Sequence, residues 1–268
     1  MASLHNALFF KECVNYFDDG ARVTQRGNSG KIIRAAADND YTTFTTLKDL
    51  DINIARNGNA TRVDAVFVKG TGITAHSATP SGGSGSGYNT RRMPATVRNW
   101  EGTHVSTVVN GFQHDLYLLN KHFTATSVRF RVTGTNARIH EVMLLEFGIE
   151  IDANGDFTQI NPDFTDREGI IHSSPSGSIV YTSPIGGGRD KWQIDYAVKI
   201  VPGKTILQTP EEFLYWRSEN RNHVHAQEPS RFPWRVFPAT FVRKIVPVRY
   251  RTDNKNAGEV LTFRVAEQ

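Results

Sequence analysis

Cysteine is almost missing from this chain: Cys13 is the single thiol in 268 residues. One cysteine excludes an internal disulfide framework and any zinc cluster built on several thiolates, and Cys13 itself reads as a small buried hydrophobe. Long apolar runs are missing too. No stretch approaches the ~18 residues of a membrane-spanning helix. The first residues, with Leu8-Phe9-Phe10, lack the basic start and apolar core of a secretory signal. These absences predict a folded protein assembled in a reducing cytoplasm, with no membrane partner.

Catalytic signatures are equally scarce. His172, Ser173 and Ser174 are adjacent but form no Gly-x-Ser-x-Gly elbow. The glycine-rich stretch 79–87 lacks the Gly-Lys-Ser/Thr ending that cradles phosphate. His223 and His225 share one face of a strand, and His140 precedes Glu146, yet no third metal ligand stands at a recognisable spacing. The histidine pair is therefore expected to face solvent or an interface. Without a catalytic constellation the chain reads as a non-enzyme with no cofactor.

Charge of one sign is not in large excess, since 31 Lys+Arg oppose 27 Asp+Glu for a net +4 and a pI near 9.2. The excess is unevenly spread. From Arg189 onward there are 14 basic and 9 acidic residues, whereas the preceding part holds 17 and 18. The basic residues come in scattered pairs such as Arg91-Arg92 and Arg243-Lys244, the pattern of a solvated face rather than a nucleic-acid patch.

What the chain does have is strand periodicity. Val128, Phe130 and Val132 alternate with Arg129 and Arg131, and residues 63–68 are apolar on both faces, as in a strand covered on both sides. Residues 1–30 are open between a helix and an extended arm. Residues 31–151 read as a β-sandwich, with 77–92 an exposed loop on its rim. The turn Asp152-Ala-Asn-Gly155 ends it. Residues 156–268 then read as a β domain with one helix over 209–220, where Thr209 is the N-cap, Pro210 the first helical residue and Glu212 the partner of a capping box.

The acidic turn in Ala35-Ala-Ala-Asp-Asn-Asp-Tyr-Thr-Thr-Phe-Thr-Thr-Leu47, the strand ending at Gly70, and the late pair 127–132 and 139–145 resemble a discoidin-type, galactose-binding-like sandwich. The second half, with Phe157-x-x-Ile160, Asp166-Arg167, His172-x-x-Pro-x-Gly177, Gly188-Arg189-Asp-Lys-Trp192 and residues 258–267, resembles bacteriophage tail proteins of the tail-tube or distal-tail type. This resemblance implies a mainly β protein, a discoidin-like sandwich followed by a tail-tube-like domain with one flanking helix. It further implies a virion structural protein of the tail tip or baseplate. Such a protein assembles in the host cytoplasm as a homo-oligomeric ring, hexameric or trimeric, contacts other phage tail proteins, and passes DNA through its lumen without base contacts.

The resemblance also gives the acidic turn a role. Asp38 and Asp40, two carboxylates two residues apart, are candidate calcium ligands, the alternative being a backbone-capping turn. Tyr88, Arg91, Arg92, Trp100 and His104 supply the aromatic and planar polar groups that sugar binding requires. They are the ligand or partner candidates, with a carbohydrate-binding module as the alternative function. Arg189, Trp192, Trp216 and Trp234 are candidates for the assembly interface, where tryptophan and arginine are enriched.

Overall fold

The computed structural model describes residues 2–12, 23–38, 42–82, 102–152, 158–163, 170–173, 179–182, 193–220, 222–241, 246–250 and 258–267. The chain is mainly β and divides into two compact units. The first comprises Met1–Glu150 with His223–Val236, and the second Ile151–Asn222 with Phe237–Gln268.

The first unit begins with β1 (Ala7–Glu12), β2 (Val23–Gln25), β3 (Asn28–Ile32) and β4 (Asp49–Asn53). It continues with β5 (Thr61–Thr71), β6 (Ala75–Ser81), β7 (Gly102–Val109), β8 (Phe112–Ala125), β9 (Ser127–Thr133) and β10 (Arg138–Ile151). One antiparallel sheet runs β3-β2-β4-β9-β6. The other includes the order β1-β10-β5-β8-β7, and β15 (Asn222–Ala226) pairs with the free side of β1. Leu50 and Ile52 of β4, Val128 and Phe130 of β9, and Val66, Val68 and Leu144 of the larger sheet belong to one buried cluster. Two sheets closed over a shared core make a sandwich.

Residues left open between helix and arm in the sequence thus supply a central strand. Leu8, Phe9 and Phe10 of β1 are wholly buried, and Lys11 reaches Glu146 of β10 at 3.3 Å. The expected rim loop over 77–92 is overturned in its first residues. Residues 77–81 lie in β6, paired residue for residue with β9, and Ala78 is in the core; 83–92 lie outside the described residues. Tight hairpins fix register. Asn110 (φ 52°) and Gly111 (φ 83°) form the two-residue turn between Val109 and Phe112, the Asn-Gly chemistry that left-handed hairpin turns require.

The second unit contains β11 (Thr158–Asp163), the hairpin β12 (Ile170–Ser173) with β13 (Ile179–Thr182), β14 (Gln193–Ile200), and helix α1 (Pro210–Glu219). After β15 come β16 (Val236–Phe241), β17 (Val246–Tyr250) and β18 (Gly258–Glu267). β14 pairs β11 on one side and β18 on the other; β16 and β17 then pair successive halves of β18. Ile194, Tyr196, Val198 and Ile200 alternate inward along β14. The apolar stripe of α1 docks on this sheet, with the Phe213 ring 4.5 Å from Phe263 and 5.5 Å from Phe241.

The helix starts where Thr209-Pro210 predicts, but its cap differs. Thr209 is extended and its side chain makes no capping bond, while the Glu212 carboxylate accepts from the backbone of Gln208 at 3.2 Å, one residue earlier than a capping box would have it. Proline at the first helical position removes a donor there, so less capping is needed.

Candidate functional site

One end of the sandwich gathers the turns that follow β5, β7 and β9, together with the segment before β4. Their close approach is built on glycine. A Cβ on Gly70 would lie 2.5 Å from the Arg138 carbonyl, and one on Gly134, itself at φ 151°, would lie 1.9 Å from that of Gly72. Thr45 makes reciprocal 2.9 Å backbone bonds with Ile139, which brings Phe44 alongside β10. There the Arg138 guanidinium sits 4.4 Å over the Phe44 ring, Phe44 lies 5.5 Å from His140, and His140 meets the edge of Phe112 at 4.9 Å. Lys69 lies 4.9 Å over Phe112, completing a row of three rings with a cation at each end. Phe44 remains 39% exposed, and Arg138 is exposed above it. His140 stands at the bulge where β10 slips against β5.

Beneath the same rim is a buried polar group. Cross-strand register places Asp115 opposite Ser106 and Val68, and Tyr117 opposite His104 and Val66. Opposed residues share a face, and His76 from β6 of the other sheet meets this one, with its Nε2 3.6 Å from Asp115 Oδ2. Ser106 Oγ donates to Asp115 Oδ1, and Gln113 Nε2 donates to Oδ2 at 2.7 Å. Burial opposes the Asp115 charge, but the His76 imidazole and the donors from Ser106 and Gln113 outweigh it and hold the carboxyl below its ordinary value. The His104 ring stacks on Tyr117 at 4.1 Å. Burial lowers the His104 pKa and, with the Asp115 charge, raises the Tyr117 phenol to about 12.

His76, Asp115 and Ser106 are the residue types of a nucleophilic triad, but their order is wrong for one. The serine proton is given to the carboxylate rather than to an imidazole, so no base activates the hydroxyl. The arrangement serves to satisfy polar groups inside the sandwich. On the opposite face Lys69, Glu141 and His114 line up by register and are all buried. Burial and the Lys69 charge bring His114 down to about 4, keeping it neutral.

Of the sequence candidates, His104 alone joins this region; Tyr88, Arg91, Arg92, Trp100, Arg189 and Trp192 lie outside the described residues. Asp38 is exposed and its carboxylate accepts from the Thr43 hydroxyl at 2.8 Å, while Asp40 lies outside the described residues. No group of three His, Cys, Asp or Glu suited to a metal occurs among the described residues. Trp216 is 7% exposed, with its ring 6.3 Å from both Phe213 and Phe241, so it packs within its own unit. Trp234 is half-buried and meets the edge of Phe232 at 5.7 Å.

The histidine pair expected at solvent or an interface is instead buried. His223 is 2% exposed and His225 not at all, because β15 pairs with β1 and both rings pack on Phe9, at 5.6 and 4.5 Å. His225 Nδ1 donates to the Leu8 carbonyl at 3.1 Å. Burial, aided by His223, lowers the His225 pKa to about 3.

Sequence reasoning missed Asp49, whose carboxylate takes a two-pronged bond from Arg129 (2.8 and 2.7 Å) and a third from Arg131 at 2.9 Å. The alternation Asp49-Leu-Asp-Ile-Asn53 carried that signal. Compared with known proteins, the chain matches no protein-family model and no curated sequence.

Proposed function

We propose that this chain is a structural protein that works by assembly, a ring-forming component of a phage tail tip or baseplate. The observation that supports this reading is the presence of a β-sandwich unit and of a second unit of antiparallel strands carrying one helix, the layout the sequence resemblance implies. The buried Asp115 carboxylate, which accepts from Ser106 and Gln113, fits a scaffold better than a reactive centre. Rings or discrete oligomers of the purified chain, seen by negative-stain imaging and by mass in solution, are the expected result. A monomer at high concentration that never enters a virion would refute the proposal.

A second reading, a carbohydrate-binding module, draws on one feature: Phe44 is exposed at the rim under Arg138 and next to His140. An exposed ring beside planar donors is what a sugar stacks on. Retention on glycan beads that is lost in Phe44→Ala, with the fold kept, would favour this reading; no retention of the native chain would remove it.

A further inference from the structure

We infer that β7 is a dimerisation strand, pairing antiparallel with β7 of a second copy of this chain so that the larger sheet of the sandwich continues across the two-fold axis. The inference does not rest on a virion role.

β7 ends the sheet order, paired to β8 along one side and to nothing on its other side among the described residues. Its register with β8 runs unbroken over all eight residues, from Gly102 to Val109, with no bulge. Natural edge strands are guarded against foreign pairing by lysine, proline, a bulge or shortness. β7 has none of these: Gly-Thr-His-Val-Ser-Thr-Val-Val carries no charged side chain, in a chain where 22% of residues are charged. Val108 stands 67% exposed on it, and the flanking β-branched residues favour a paired strand.

The sequence of β7 suits its own copy. A two-fold axis at Ser106 preserves the faces of the sheet and sets Ser106 against Ser106, Val105 against Thr107, and Val108 against His104. Exposed Val108 then packs on a ring already held by Tyr117, 4.1 Å away. No like charges meet in that register, and the two small serines leave the centre open for close approach. An isologous contact of this kind closes on itself, so it gives a dimer rather than a fibre.

The test uses the full chain and Val108→Lys, which adds a charge at an exposed site and places it beside the partner's strand. Sedimentation should show a native dimer whose dissociation constant rises by roughly tenfold or more in Val108→Lys. Val108→Thr, which keeps a β-branched uncharged residue, should stay dimeric. The outward backbone amides of β7, those that do not bond to β8, should exchange slowly in the dimer and faster on dilution. A native monomer at all concentrations, or an oligomer indifferent to Val108→Lys, would overturn the inference. So would slow exchange, already in the monomer, of the outward β7 amides that do not bond to β8, or their protection only on addition of a different protein.

Discussion

Replacing Asp115 by asparagine tests whether the buried polar group holds the sandwich together. The carboxylate accepts from Ser106 on one oxygen and from Gln113 on the other, with His76 Nε2 3.6 Å away. An asparagine keeps one acceptor and turns the other into a donor. With its amide nitrogen toward Ser106, the hydroxyl of that exposed serine turns to accept, and the amide oxygen still accepts from Gln113. Two charge-assisted bonds become neutral ones, each weaker by about 1 kcal/mol. Relief from burying a charge offsets part of this. The lowered Asp115 pKa shows that its partners more than repay burial, so the sign stays destabilising. A net loss of about 1 kcal/mol is expected, or about 2–4 °C in the melting of a unit this size. Urea unfolding would measure it, with hydrogen exchange of β7 and β8 amides reading the first unit separately from the second. The acid limb provides an independent check. Because the folded carboxyl lies below its ordinary value of about 4, its stabilisation is whole above that pH and is lost as pH falls through the folded value. Asp115→Asn should therefore flatten the acid limb. A loss below about 0.5 kcal/mol, or an unchanged acid limb, would refute the reasoning.

Other outcomes follow from the same structure. Asp49→Asn should cost about 1 kcal/mol, since a two-pronged arginine pair at a partly exposed site is screened by solvent and weakens further in salt. In the native chain that contribution should fade as pH falls from about 4 toward about 2, the folded value of Asp49; chemical denaturation across that range measures it. His225, lowered to about 3, must take up a proton on unfolding at any pH between that value and about 6.5. Stability should thus drop as pH falls through that window, and His225→Leu should remove about one proton from the pH slope, checked by denaturation at stepped pH. Phe213→Ala should loosen the second unit by about 3–5 kcal/mol, because two rings of the sheet, Phe241 and Phe263, lose their lid; faster exchange along β14 and β18, with the sandwich unchanged, is the signature.

Local patterns settled much of this protein in the sequence alone. Alternation in 127–132 foretells β9 with its arginines outward, doubly apolar 63–68 foretells a strand covered on both faces, and Thr209-Pro210 marks where α1 begins. These features depend on neighbours a few residues apart, so period and turn chemistry suffice. Tertiary structure alone decided which unit the segment 223–236 belongs to, and with it the aromatics Phe232 and Trp234, which chain order assigns to the second half. It also decided that His225 is buried, through a partner, Leu8, that is 217 positions away. His76 and Asp115 likewise sit on different sheets and meet only when the sandwich closes. A histidine or aspartate carries no periodic mark of its own partner. Its burial and charge are fixed by whichever strand the fold brings opposite it, and that is information the pairing of distant strands supplies.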